Sequence, residues 1–227
     1  MKIEIESNIL RYYLRNVYFI NGTAYAGKST MAAMLAEKYN MALCGENYHA
    51  AHAGEFVTPQ YQPNMSYFQT MRDWQEFVNR TPEEYARWIE GTSLEAAQIE
   101  IAELLRMPDG QRVIADTNIP LAMLREISDY HHVAIMLSPQ AVSVERFFDR
   151  PDADKQFLLK QIGLAENPEK TMANFKACMA KVNSRECYDA FLNSGFYTII
   201  REDAETDTRL ETMNRLAEHF QLEAKPY

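Results

Sequence analysis

Val17-Tyr18-Phe19-Ile20-Asn21-Gly22-Thr23-Ala24-Tyr25-Ala26-Gly27-Lys28-Ser29-Thr30 is the stretch that decides the fold. Its first four residues form an apolar run short enough for one buried strand. Gly22, four further residues, then Gly27-Lys28-Ser29 have the spacing of a Walker A phosphate loop. In such a loop Gly22 and Gly27 supply backbone conformations and close approach that a Cβ hinders, so consecutive N–H groups turn toward an anion. Gly22, Thr23, Ala24, Tyr25, Ala26, Gly27, Lys28, Ser29 and Thr30 are therefore the expected nucleotide-binding segment. Lys28 is expected to face solvent in the empty loop and to reach the β- and γ-phosphates. Ser29 is expected to place its hydroxyl on Mg²⁺, and the following helix adds the positive end of its dipole.

The competing description is a chance glycine-rich turn. At average residue frequencies the four fixed positions match by accident in about one chain in a hundred of this length. Context favours the loop, because Met31 to Tyr39 is rich in good helix formers and free of Gly and Pro.

At 227 residues the chain is long enough for one α/β domain with insertions. Its composition, 47% hydrophobic and 24% charged, is that of a globular protein, and no apolar run approaches the roughly 20 residues that cross a bilayer. A net charge of −9 and a pI near 5.1 argue against a broad basic surface for nucleic acid or anionic lipid. The alternating, acidic start, Met1 to Glu6, lacks the pattern of a secretory signal. Cys44, Cys178 and Cys187 form no paired framework. We therefore expect a cytoplasmic protein with neither membrane nor nucleic acid as partner.

After the loop, Met41 to Cys44 is a second strand, with Glu46 just beyond its end. Residues 50–66 read as irregular. Ser66-x-x-Gln69, Thr81-Pro82-Glu83-Glu84 and Thr92-x-x-Glu95 are capping-box patterns that predict helices near 67–79, 82–90 and 93–106. In the last, Leu94, Ala97, Ile101, Leu104 and Leu105 share a face. Arg112 to Ala115 is a third strand ending in Asp116, and helix 120–129 leads to a fourth at His132–Leu137. Ser138-Pro139 starts a helix carrying Arg146. Helices near 153–163 and 168–193, a strand over Phe196–Ile200 and a helix near 207–221 complete the chain. Residues 1–16 suit either state.

Strands alternating with helices argue a parallel sheet covered on both faces, with a helical insertion between strands two and three. Asp116 ends an apolar strand where a carboxylate can hold Mg²⁺ beside a phosphate loop, or else cap the next helix. Glu46 is either the carboxylate near the transferred phosphoryl group or a solvated acid in a turn. Arg146 and Arg150, four residues apart before Pro151, either bridge phosphates from a lid near 146–163 or pair with neighbouring acids. The aromatic residues of the insertion are expected mostly in its core, and Arg72, Arg80 and Arg87 are candidate holders of an anionic acceptor. Cys44, His49 and His52 match no closed zinc pattern.

A phosphate loop near the N-terminus, an acid after strand two, a helical region, a strand ending in Asp116, Arg146-x-x-x-Arg150 and a final strand and helix resemble the P-loop kinases of small molecules. These include nucleoside, nucleotide and shikimate-type kinases. The resemblance spans about residues 17–221 and implies an α/β three-layer sandwich with a five-stranded parallel sheet in the order 2-3-1-4-5. It also implies an acceptor region near 47–107 and ATP and Mg²⁺ as cofactors, and with no repeat or linker to divide it the chain reads as one domain over 1–227. The catalytic set would be Lys28, Glu46, Asp116, Arg146 and Arg150, with Ser29 and Asp116 on the metal, and the partner a small-molecule acceptor. Glu46 lacks the following Pro of deoxynucleoside kinases, and Asp116 lacks their Arg-Ser continuation. A nucleotide-dependent switch or a non-catalytic nucleotide binder is the alternative, although no Asn-Lys-x-Asp guanine-reading motif occurs.

Overall fold

The computed structural model describes residues 4–139, 153–201 and 207–223. β1 (Val17–Gly22) lies at the centre of a five-stranded sheet. β3 (Val113–Asp116) flanks it on one side and β4 (Val133–Leu137) on the other. β2 (Ala42–Cys44) and β5 (Tyr197–Ile200) form the edges, giving the order 2-3-1-4-5 with every pair parallel. The expected sheet is therefore present. Register sets Asp116 beside Ile20 and Gly22 beside Met136, so the acid and the glycine-rich loop meet at the carboxyl ends of the central strands.

Side chains alternate across the sheet. Val17, Phe19, Val133, Ile135 and Leu137 point into one core with Leu104, Ile119 and Leu124. Ile20, Ala134 and Met136 point into the other, beneath α2 (Lys28–Tyr39) and the last helix, Arg209–His219. Both faces of the central strands are covered, which is why these runs are continuously apolar.

Between β2 and β3 come α3 (Ala50–Phe56), α4 (Tyr67–Thr70), α5 (Trp74–Val78) and α6 (Pro82–Leu105). After β4 come α8 (Ala153–Gly163), α9 (Pro168–Val182) and α10 (Arg185–Leu192), α7 (Leu121–Ile127) having preceded β4. A third core, with Phe77, Tyr85, Ile162, Phe175 and Met179, joins the insertion to α8 and α9. Tyr67, Trp74 and Trp88 pack against it, whereas Phe56, Tyr61 and Phe68 are exposed. The aromatic residues of the insertion thus divide between core and surface.

Several local expectations change. Residues 50–56 are helical, and α1 (Ser7–Tyr13) settles the start, its Arg11 Nε donating to the Glu126 carbonyl at 2.9 Å. Thr81 forms its capping box with Glu84, and Pro82 is the first helical residue. The box at Thr92 does not form, because Glu95 is engaged elsewhere. Its carboxylate accepts from Asn64 Nδ2 at 2.6 Å and from the Met65 amide at 2.8 Å. The two expected helices therefore run on as one of 24 residues. Its inward face carries Ala96, Ala97, Ile99, Glu100 and Leu104, while Leu94 and Leu105 are exposed. Ser66 has no cap bond, and α4 stays a single turn. The long helix expected at 168–193 breaks where Ser184 Oγ accepts from the Cys187 amide at 3.3 Å and starts α10.

Candidate functional site

The loop from Gly22 to Gly27 is held by the end of β4. Thr23 N–H donates to the Met136 carbonyl at 3.0 Å, the Ser138 amide donates to Thr23 Oγ1 at 2.8 Å, and Ser138 Oγ donates to the Ala24 carbonyl at 2.7 Å. Gly22 has φ +132°, and a Cβ on it would lie 1.9 Å from the Met136 carbonyl oxygen. Its lack of a side chain thus serves the close approach of the two strands. Tyr25 and Gly27 have φ of 66° and 92°, which turns the chain into α2. No side chain caps that helix, and the first N–H to close on it is that of Met31, to Gly27 at 3.0 Å. The preceding N–H groups have no carbonyl within the helix and suit an anion.

Lys28 is buried, not solvent-facing as expected, and its Nζ lies 3.4 Å from the Thr23 carbonyl. The charge it meets is Asp116, buried at the end of β3. Ser29 Oγ donates to Asp116 Oδ2 at 2.5 Å, while Asp116 Oδ1 is buried with no hydrogen-bond partner. Burial raises the Asp116 carboxyl above its ordinary value. The Lys28 charge and the Ser29 bond oppose that rise, while the charges of Glu46 and Glu100 add to it. An unsatisfied buried carboxylate oxygen beside an exposed serine suits a hard cation brought in with phosphates. Among the described residues no cluster of three or more His, Cys, Asp or Glu would hold a metal alone. Mg²⁺ usually takes one or two carboxylates with phosphate oxygens, so Ser29 and Asp116 fit it as a pair.

Thr30, in the first turn of α2, is exposed. Glu46 is exposed in the turn after β2, felt electrostatically by Asp116 but absent from the walls of the adjoining cleft. Arg146 and Arg150 lie outside the described residues. The described part of the expected lid, α8, brings Lys155 Nζ to 5.7 Å from the Tyr25 ring. Arg72 is exposed beside Asp73, and Arg87 is exposed too. Arg80 lies 3.6 Å over the Tyr67 ring. None of these three arginines lines the cleft.

That cleft has a volume of 420 Å³ and opens between the start of the loop and the helical insertion. Asn21 to Ala24 form its floor, α6 one wall, and the end of α9 with α10 the other. Glu100 faces it from α6, buried, accepting from the Thr117 hydroxyl and lying 2.9 Å from His49 Nδ1. Thr117 Oγ1 in turn accepts from the Ile119 amide at 3.0 Å. Sequence reasoning missed this group. Its signal was a carboxylate in the apolar stripe Ala96, Ala97, Glu100, Leu104, at i, i+1, i+4 and i+8. Cys44 lies near Glu100, and its thiol is pushed up to about 11, first by burial and then by that carboxylate. It is therefore a packing residue. Among the described residues no helix is long and apolar enough to cross a membrane. No protein-family model matches the chain, and no curated protein does.

Proposed function

We propose that the chain is an ATP- and Mg²⁺-dependent phosphotransferase acting on a small molecule, a P-loop kinase working in the cytoplasm. The observation that carries this reading is the adjacency of two features. One is a glycine-rich loop whose Lys28 and Ser29 meet a buried strand-end acid, and the other is a cleft that opens on the same loop. A loop alone serves a switch or a binder equally well. A walled cavity beside it is what transfer to a second molecule requires.

In this reading the amides of the first turn of α2 cradle phosphate oxygens, and Lys28 neutralises charge on them. Ser29 and Asp116 would hold the Mg²⁺ ion, which supplies charge neutralisation between the phosphates. Lys155 adds a further positive charge above the loop. The helical wall excludes water and orients the acceptor.

Lys28→Ala tests this reading. Removal of one preorganised charged donor should lower ATP–Mg²⁺ affinity or turnover by about a hundredfold or more. Calorimetric titration of the folded variant, with unfolding followed in parallel, measures it. Unchanged affinity and activity would sink the assignment, and tight binding without transfer to any acceptor would favour the switch or binder.

A further inference from the structure

Glu100 and His49 form a pair whose geometry fixes a proton. A carboxylate only accepts, so a histidine nitrogen 2.9 Å from Glu100 Oε1 must carry hydrogen on Nδ1. In the neutral ring Nε2 then keeps a lone pair, and the ring, its side chain 12% exposed, lines the cleft. Glu100 cannot swing away, because its other oxygen accepts from Thr117. Thr117 directly follows Asp116, so the pair and the Ser29–Asp116 contact hang on neighbouring residues of one strand end. This is the arrangement by which a carboxylate sets the tautomer of a basic imidazole.

The walls also state what the cleft accepts. Among the described residues that line it there is no Arg or Lys, and Glu100 places negative charge there. Thr92 Oγ1, in the α6 wall, is buried with no partner, and Asn47 and Asn118 bring amides. Ile89, Val182 and Phe191 supply apolar surface. On this described lining a phosphomonoester meets a carboxylate and no cation, whereas a neutral molecule with hydroxyls and an apolar face finds both kinds of contact.

We infer that His49, held by Glu100, is the general base that takes the proton of a neutral alcohol acceptor seated in this cleft. The inference rests on the kinase reading above and deepens it. As the acceptor oxygen bonds to the transferred phosphorus, the bond from that phosphorus to the bridging oxygen of ADP breaks, and ADP keeps the electron pair. The acceptor proton passes to His49 Nε2. Glu100 balances the imidazolium, which returns its proton to solvent after the product leaves.

Two measurements on the full chain test this, with water standing in for the acceptor. Long-range ¹H–¹⁵N spectra, with His49 assigned by its loss in His49→Ala, should show the Nδ1–H tautomer in wild type and its loss in Glu100→Ala, which removes the acceptor. Phosphate release from ATP should fall about a hundredfold or more in His49→Ala, at the low end of general-base effects, with ATP–Mg²⁺ affinity unchanged within twofold. Added imidazole should restore part of it, which a merely structural role would not allow. An Nε2–H tautomer in wild type, or a folded His49→Ala that turns over normally, overturns the base while leaving the kinase reading intact. Failure of the wild type to bind ATP–Mg²⁺ overturns that reading and the base with it.

Discussion

The two sides of the cleft are built by different means. On the loop side, backbone meets backbone: Gly22 presses on Met136, and the Thr23 amide bonds to the same residue's carbonyl. On the insertion side, side chains hold the wall. Asn64 bridges to Glu95, the Trp88 indole donates to the Asn64 carbonyl at 3.0 Å, and Glu100 grips His49 and Thr117. Backbone constraints leave fixed marks in a sequence, because only glycine satisfies them. Side-chain constraints can be met by many residue types, and they leave faint ones.

Two glycines break or sharpen that contrast. Gly22→Ala puts a Cβ 1.9 Å from a strand carbonyl that cannot move without parting β1 from β4. We expect a loss of about 4 kcal/mol or more, or no folded protein, in urea denaturation. Gly91 lies inside α6, where alanine ordinarily stabilises a helix by up to about 1 kcal/mol. Here its Cβ would lie 2.4 Å from Asn64 Nδ2, the atom that donates to Glu95. Gly91→Ala should therefore destabilise by about 1–3 kcal/mol. A gain in stability would show that Asn64 moves aside freely and that the wall is looser than its bonds suggest.

The fold was legible because its determinants are of the first kind. The strand, loop and helix at 17–39, the apolar runs at 113–116 and 133–137, and the cap at Thr81-Pro82 each state their role locally. Asp116 and Ser29 were found because the loop spacing says where their partners must be, and the structure brings them together. Glu95 and Glu100 were not. Thr92-x-x-Glu95 satisfies the pattern of a cap, and it takes Asn64 and Met65, some thirty residues earlier, to divert the acid from it. Glu100 lies 17 residues from Thr117 and 51 from His49, separations that no helix or strand period reveals. Glu46, marked by its position at a strand end, stays on the surface because the turn carries it away from the cleft that Asn47 and His49 enter.

The smallest expected effect separates function from stability on the loop side. Burial holds the Asp116 carboxyl above its ordinary value, so the protonated form favours the folded chain. That contribution is complete below the usual carboxylate range and is lost as pH rises through the raised value. Asp116→Asn keeps the shape without the charge. It should melt above wild type at neutral pH, and the gap should close as pH falls. The same change should raise the Mg²⁺ requirement of nucleotide binding by about tenfold. A variant that melts lower at neutral pH, with an unchanged Mg²⁺ requirement, would make Asp116 a structural acid.

α6 belongs to two cores at once. Tyr85, in its first turn, sits among Phe77 and Phe175, while Ala97 and Leu104, in its later turns, sit with the sheet residues Val113 and Ala115. One added residue anywhere between Tyr85 and Glu100 would rotate everything beyond it by about 100°. Such an insertion would turn the carboxylate out of the cleft while leaving the capped start untouched. The length of this helix is thus as firmly fixed by the architecture as any single side chain on it.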